Sequence, residues 1–379
     1  MSDRSSYLIL GGCGFIGRHF VQYLVDNNLA SKIRIADKIL PALAYFNEKH
    51  ETVFRNPIVE FINVNLLNKN SLEKVFQYDL SFDYVINCAG ETRYGLTDAI
   101  YYEGIVNMTT TCARLAAKYK VKRFVEISSG CMASNSKIPH KESDTTDPWT
   151  SIANFKLMSE KSLTTIPDLN YTILRPAIVY GIGDKTGISK LMYHFSLELI
   201  FAAPRLVIGS IYKYLKETMK VLWNRNLMMN TVHVHDLCRV ICYVCNHDES
   251  LNQVYNVVDV GCTTHGIIND FVSEIFNIQT TYVENLITML YKIDFDSLIE
   301  DINDKHSTPW AELCQKSNIT NTHLSSFLHK EDLYNKHLYL DGTKLLQLGF
   351  TYDYPKITKN LILEILEDYK SRNLFPQFN

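Results

Sequence analysis

The sequence has little net charge and no long uncharged apolar run. Its 379 residues carry a formal net charge of −3 at pH 7, so the overall balance does not predict binding to nucleic acid or to an anionic membrane. The most apolar segment, residues 188–223, is interrupted by Glu198 and Arg205. It therefore falls short of the roughly 18–20 uncharged residues that a membrane span needs. We expect no membrane span.

The sequence also lacks a secretory signal at its N-terminus, internal repeats and low-complexity runs. We expect a cytoplasmic protein whose nine cysteines stay reduced. Cys238, Cys242 and Cys245 share one face of a predicted helix and are interpreted as core residues. No metal site is predicted, because His233 and His235 alternate along a strand-like segment without further ligands at suitable spacing.

The first half of the chain alternates strand-like and helix-like segments. Apolar strand-like runs lie at 7–10, 32–36, 59–64, 83–88, 123–128 and 171–175, with helix-length segments at 15–28, 71–77, 105–119 and 154–165. This alternation predicts an α/β fold with a Rossmann-type doubly wound parallel sheet. Ligands on such a sheet bind at the carboxyl ends of the strands, where the strand order reverses.

A glycine-rich loop follows the first strand directly. It reads GGCGFIG, in which Gly11, Gly14 and Gly17 allow a tight turn, a close approach to a pyrophosphate and packing of the next helix on the sheet. Asp37 ends the second strand, twenty positions after Gly17. A carboxylate there accepts hydrogen bonds from the adenosine ribose and repels a 2′-phosphate, which favours NAD over NADP. The neighbouring Lys38 leaves NADP open.

These motifs resemble the extended short-chain dehydrogenase/reductase family, the group that contains NAD-dependent epimerases and dehydratases. Further matching segments are DYVINCAG (83–90), VKRFVEISS (121–129), YTILRPAIVYGIGD (171–184), TVHVHDL (231–237) and YLDGTKLLQLGF (339–350). The resemblance implies NAD as the cofactor, bound by Gly11, Gly14, Phe15, Ile16, Gly17, Asp37, Asn65, Leu66, Ala89, Gly90, Lys156, Pro176 and Ile178.

The resemblance also implies the domain organisation. A Rossmann domain is expected over 1–176, with later sheet segments near 231–259, and a smaller C-terminal substrate lobe over 177–230 and 260–379. Residues 185–230 and 277–335 have no counterpart in the family pattern. Within the first of these, 188–223 is expected to form two or three buried or interface helices, with Lys213, Lys216 and Lys220 on a solvent-facing side.

The family's catalytic residues are only partly retained. The family uses a serine, a tyrosine that exchanges a proton with the substrate, and a lysine four residues after the tyrosine that binds the nicotinamide ribose. Ser129 and Lys156 align with the serine and the lysine, whereas Ile152 stands at the tyrosine position. Pro148 and Glu160 fix this register. An isoleucine neither donates nor accepts a proton.

Few residues in the sequence are candidates to replace the missing tyrosine as proton donor. Glu91 or Tyr94 follows the fourth strand and is a candidate proton donor, while Cys131 lacks an identified base. Nucleotide-sugar epimerases of the family place an arginine where Met229 stands here. Arg205 and Arg225 are candidate substitutes, and both are interpreted as surface arginines.

Two functions remain open. One is a catalytically silenced NAD-binding protein that acts as a cofactor sensor or a structural subunit. The other is a divergent oxidoreductase or epimerase that acts on a small hydroxylated or carbonyl substrate with a replaced proton donor. The partner, either a small molecule or a protein, is unknown, and a homodimer is left open.

Overall fold

The computed structural model describes residues 4–77, 82–132, 138–184, 205–222, 224–283, 295–329, 331 and 336–377. The chain divides into two compact units. The first comprises Met1–Ala177, Val232–Asp259 and Leu340–Tyr354, and the second comprises Ile178–Thr231, Val260–Tyr339 and Pro355–Asn379. Segment 340–354, expected in the C-terminal lobe, thus belongs to the first unit. The functional roles assigned to the two parts stay predictions.

The secondary structure alternates between strands and helices as far as the second half of the chain. The strands are β1 Ser5–Leu10, β2 Ala30–Asp37, β3 Val59–Asn63, β4 Tyr84–Asn87, β5 Arg123–Ile127, β6 Tyr171–Pro176, β7 Ile178–Tyr180, β8 Met219–Leu222, β9 Thr231–His233, β10 Gln253–Val257 and β11 Thr280–Val283. The helices are α1 Phe15–Asp26, α2 Glu48–Phe54, α3 Lys69–Phe76, α4 Asp98–Tyr101, α5 Met108–Lys118, α6 Ser151–Leu163, α7 Arg205–Leu215, α8 Val234–Cys245, α9 His265–Phe276, α10 Phe295–Lys316, α11 Thr343–Gln347 and α12 Lys359–Ser371. A π-helical segment, Tyr102–Asn107, joins α4 to α5.

The first unit is built on one parallel sheet of seven described strands, in the order β3-β2-β1-β4-β5-β6-β10. The strand order reverses between β1 and β4, where two crossovers leave in opposite directions. This is the predicted Rossmann-type doubly wound sheet, and the fold prediction is confirmed. The carboxyl ends of β1 and β4 therefore frame the crevice in which such sheets bind ligands.

Both faces of this sheet are covered. Leu8 and Leu10 of β1 lie in a buried apolar cluster with residues of α3, α5 and α6. Tyr7, which precedes Leu8, points to the opposite face, where its ring packs edge-to-face with the ring of Phe20 of α1 at a centroid distance of 5.8 Å. Helix α8 packs against α1. The three cysteines of α8 are buried and unbridged, which confirms their interpretation as core residues.

The second unit contains a short parallel strand pair, β8 with β11, and helices α7, α9, α10 and α12. Helix α7 is almost wholly buried. It ends at Leu215, and Lys216 adopts a left-handed φ of 58° before the chain enters β8. The expected helix through 211–223 is therefore wrong, because strand pairing with β11 takes residues that have helical spacing in the sequence. The rest of the expected helices, at 188–204, lies outside the described residues.

Within the described ranges, no helix combines the length and the apolar character needed to cross a bilayer.

Candidate functional site

The glycine-rich loop is packed so closely that side chains are excluded from it. Gly11 has a φ of 74°, and a Cβ there would lie 2.7 Å from the backbone nitrogen of Ala89. A Cβ on Gly17 would lie 2.5 Å from the carbonyl oxygen of Gly11. Gly14 precedes α1 and provides no side-chain cap, so the first-turn N–H groups of α1 are not satisfied by a capping side chain. These groups suit the phosphates of a dinucleotide.

Asp37 is fixed beside this loop at the end of β2. Its Oδ2 accepts the backbone N–H of Cys13 at 2.9 Å, and its Oδ1 accepts that of Ile39 at 2.9 Å. Each carboxylate oxygen keeps a second lone pair for a ribose hydroxyl. Burial raises the pKa of the Cys13 thiol to about 12, and the negative charge of the nearby Asp37 carboxylate contributes to this rise. The loop thiol is therefore neutral at physiological pH.

The other predicted adenosine-side residues keep local roles. Asn65 is exposed, and its Oδ1 accepts the N–H of Leu67 at 3.1 Å, whereas Leu66 is buried in the core cluster. Phe15 and Ile16 are half-buried in the first turn of α1. Of these residues, Asn65 is the one that presents a polar side chain to solvent.

The end of β4 brings Ala89 and Gly90 to Lys156 of α6. The N–H of Ala89 donates to Oδ1 of Asn87 at 3.2 Å. A Cβ on Gly90 would lie 3.6 Å from the Nζ atom of Lys156. Residues predicted from two separate motifs are therefore neighbours at the crevice.

Lys156 is held by a buried carboxylate. Its Nζ donates to Oε1 of Glu126 at 2.7 Å and to the carbonyl oxygen of Ile127 at 2.7 Å. The other carboxylate oxygen of Glu126, Oε2, accepts Nδ2 of Asn87 at 2.6 Å, and the same amide donates to Thr109 at 3.1 Å. Burial raises the pKa of Glu126, and the Lys156 ammonium opposes that rise.

Sequence reasoning missed Glu126. The signal was present, because Glu126 is the single acidic residue in the strand RFVEI, and a central parallel strand is buried on both faces. A buried carboxylate needs a partner. Lys156, which was already predicted for the site, is that partner.

The serine region is held by a second buried ion pair. Ser128 donates to Oε1 of Glu160 at 2.5 Å, and Arg175 binds the same carboxylate at 2.6 Å. The predicted catalytic serine, Ser129, is half-buried, and its Oγ accepts the N–H of Cys131 at 3.1 Å. Pro176 ends β6 and Ile178 begins β7, and both are buried.

Ile152 lies in an apolar environment. It packs against a buried cluster of Tyr101, Ile105, Val106 and Phe155. Tyr101 stacks on Phe155 with ring centroids 5.5 Å apart, and its hydroxyl donates to the carbonyl oxygen of Arg93 at 2.8 Å. The side of α6 that carries Ile152, one turn before Lys156, therefore contacts apolar side chains.

The loop after β4 does not offer a free carboxylic acid. Nε and Nη2 of Arg93 donate to the two carboxylate oxygens of Glu91 at 3.0 and 2.8 Å. This pairing lowers the pKa of Glu91 to about 2. The N–H of Glu91 donates to the carbonyl oxygen of Gly104 in the π-helical segment at 3.2 Å. Glu91 is therefore a fixed carboxylate at neutral pH, and Tyr94 of the same loop is half-buried.

The expectation that His233 and His235 share a strand is wrong. β9 ends at His233, whose Nδ1 caps α8 by accepting the N–H of His235 at 3.3 Å. His235, Asp236 and Asp353 have potential ligand atoms within 4.8 Å of one another. Arg239 pairs with both carboxylates, at 2.7 and 3.2 Å, so an arginine already balances this cluster.

In the second unit, the interpretation of Arg205 as a surface arginine is wrong. Arg205 is 1% exposed, and its Nη2 donates to Sδ of Met229 at 3.5 Å. Arg225 is exposed and pairs with Asp270, as a surface arginine would. Sequence reasoning failed for Arg205 because one charged residue in an apolar segment gives no sign of its burial.

The sequence profile of the NAD dependent epimerase/dehydratase family matches residues 7–258, about two thirds of the chain. The chain belongs to this family. This match confirms the prediction of NAD as the cofactor, and it confirms the family resemblance that the motifs indicated.

Other epimerase/dehydratase family members are distant relatives. A putative UDP-glucose 4-epimerase of Methanocaldococcus jannaschii is 28% identical over 183 residues, which span 46% of this chain and 56% of that protein. The chain thus matches just over half the length of this relative. A bifunctional UDP-glucose and UDP-xylose 4-epimerase of Pisum sativum is 25% identical over 70% of this chain and 77% of its own.

Solved structures in the epimerase/dehydratase family share the fold. UDP-glucose 4-epimerase from Thermotoga maritima, crystallised with UDP-glucose, aligns with a TM-score of 0.66 at 19% identity, covering 97% of this chain and 99% of that one. The dTDP-glucose 4,6-dehydratase DesIV of Streptomyces venezuelae aligns with a TM-score of 0.67 at 18% identity, covering 97% of each chain.

Proposed function

We propose that this chain is an NAD-binding member of the epimerase/dehydratase family with impaired or silenced catalysis, acting as a cofactor sensor or a structural subunit. The packing of Ile152 against Tyr101, Ile105, Val106 and Phe155 carries the proposal. Bound NAD supplies a hydride acceptor, but a substrate oxygen also needs a group that exchanges its proton. The loss of such a group costs about 10²–10⁴ in rate.

The features that support cofactor binding are separate from that loss. The glycine loop, the uncapped start of α1 and the fixed carboxylate of Asp37 are intact. Lys156 remains at the crevice beside Gly90. In this proposal these groups bind and orient the dinucleotide, while Ser129 is retained without the tyrosine that it would assist.

The alternative function, a divergent oxidoreductase or epimerase, needs a replacement proton donor. Glu91 does not supply one at neutral pH, because its pairing with Arg93 lowers its pKa to about 2. Tyr94 remains the candidate in the same loop. The proposal therefore favours the silenced site over the replaced donor.

The test combines binding and restoration of the phenol. Calorimetric titration of the wild-type chain with NAD and NADH should show binding. Ile152→Tyr should then show NADH formation or epimerisation with UDP-glucose, the sugar nucleotide named for two relatives. Ile152→Phe is the matched control, because it adds the ring without the hydroxyl.

The outcomes separate the two functions. Activity in Ile152→Tyr with none in Ile152→Phe or wild type supports a silenced site. Turnover by the wild type that is abolished in Tyr94→Phe would favour the replaced donor instead. Absence of binding of both NAD and NADH to the wild type contradicts both functions.

A further inference from the structure

A buried carboxylate and an ammonium form a closed pair under the crevice. Glu126 and Asn87 are fully buried, and Lys156 is 7% exposed. Each carboxylate oxygen of Glu126 accepts a hydrogen bond, one from Nζ of Lys156 at 2.7 Å and one from Nδ2 of Asn87 at 2.6 Å. Since both oxygens face donors, the geometry fits the ionised carboxylate. The pair therefore carries no net charge.

The pair lies on one side of the reversal in strand order. Gly11, after β1, and Ala89, after β4, meet at the crevice, where a Cβ on Gly11 would lie 2.7 Å from the Ala89 nitrogen. Asp37 ends β2 on one side, whereas Lys156 lies beside Gly90 and donates to Ile127 on the β4–β5 side. In a doubly wound sheet each half receives one mononucleotide. With adenosine at Asp37, the nicotinamide half falls beside Lys156.

The two redox forms of the cofactor differ in charge at that half. The oxidised nicotinamide ring carries one positive charge, and the reduced ring carries none. An unpaired ammonium beside it would repel the oxidised form more than the reduced form. A carboxylate in contact with the ammonium cancels most of that difference.

We propose that Glu126 is a positioning residue that holds Lys156 and, by neutralising it, allows oxidised NAD to bind without a penalty relative to NADH. The inference rests on the proposed NAD binding and extends it, because it assigns to the chain's own residues the balance between the two redox forms. A cofactor sensor would depend on this balance.

Glu126→Gln tests the inference. The dissociation constants of NAD and NADH are measured by calorimetry for the wild type and the variant, and the quantity compared is the ratio of the two constants. We expect the ratio to move about 3–10-fold towards NADH, the range for one uncompensated charge that water partly screens. A purely structural role for Glu126 would weaken both forms alike and leave the ratio unchanged.

A matched control restores a negative charge near Lys156 at a position other than 126. In the double variant Asn87→Asp with Glu126→Gln, the carboxylate moves to the neighbouring strand while the hydrogen bond between the two side chains is kept with its direction reversed. The ratio should return to the wild-type value. A ratio that stays shifted in this variant would overturn the assignment to charge.

The failures of the two proposals are distinguishable. A wild-type chain that binds neither form contradicts the proposed function. A wild type that binds both, with an unchanged ratio in Glu126→Gln, overturns the present inference alone. Should Glu126→Gln not fold, Glu126→Met is measured instead, since it has a similar length and also removes the charge. A shift of the ratio towards NADH there supports the inference, and an unchanged ratio overturns it.

Discussion

The two halves of the cofactor crevice differ in how far they follow the family pattern. On the β1–β2 side, Gly11, Gly17 and Asp37 hold the geometry that dinucleotide binding requires. On the β4–β5 side, Lys156 is retained, but Glu126 neutralises it and Ile152 packs among apolar side chains. In the proposed function, this difference means that cofactor binding and proton transfer rest on separate residues, so that one persists while the other is lost.

The largest effect should come from breaking the buried pair on the β4–β5 side. Lys156→Met leaves Glu126 buried without its cation, and removal of one partner from a buried pair costs about 3–5 kcal/mol of unfolding free energy. Urea denaturation followed by circular dichroism measures it. Lys118→Met, which removes the exposed partner of Glu73, is the control and should leave the midpoint nearly unchanged. Equal losses in both variants would contradict the structural importance of the buried pair.

A smaller effect is expected on the β1–β2 side. Gly11→Ala places a Cβ 2.7 Å from the Ala89 nitrogen and should cost about 1–3 kcal/mol of unfolding free energy. It should also weaken NAD binding, because the loop must shift. Gly95→Ala is the matched control, since Gly95 has a similar φ of 73° on an exposed loop. Retention of full NAD affinity in Gly11→Ala would show that the loop does not shape the binding site.

The smallest expected effect is on the stability of the protein at acidic pH. The folded-state pKa of Glu91, about 2, lies below its ordinary value of 4.5. The stability from its pairing with Arg93 is therefore complete above that ordinary value and is lost as the pH falls towards 2. Between pH 6 and pH 3.5, Glu91→Gln should lose less stability than the wild type, as read from urea midpoints. Parallel midpoint changes in the two proteins would show that the ion pair adds nothing measurable.

The sequence predicted what depends on local spacing. Gly11, Gly14 and Asp37 belong to a strand, a loop and a helix that are contiguous or nearly so, and the sheet follows from the same alternation. Features that depend on distant partners were missed or misread. Glu126 is explained only by a lysine thirty residues later, and the helical spacing of 211–223 was overridden where β8 pairs with β11. Arg205 was misread because its burial depends on tertiary packing.

The π-helical segment Tyr102–Asn107 makes the orientation of α4 depend on the number of residues in one helical turn. It lies between α4 and α5 in one continuous run of helix, and the wider turn accommodates more residues than an α-helical turn does. If the same residues formed an α-helix without losing one, α4 would rotate by about 100° about the helix axis. Tyr101 would then leave the ring of Phe155, and the wall behind Ile152 would open. The apolar lining of this side of the crevice is thus set by the number of residues in one turn as well as by their identity.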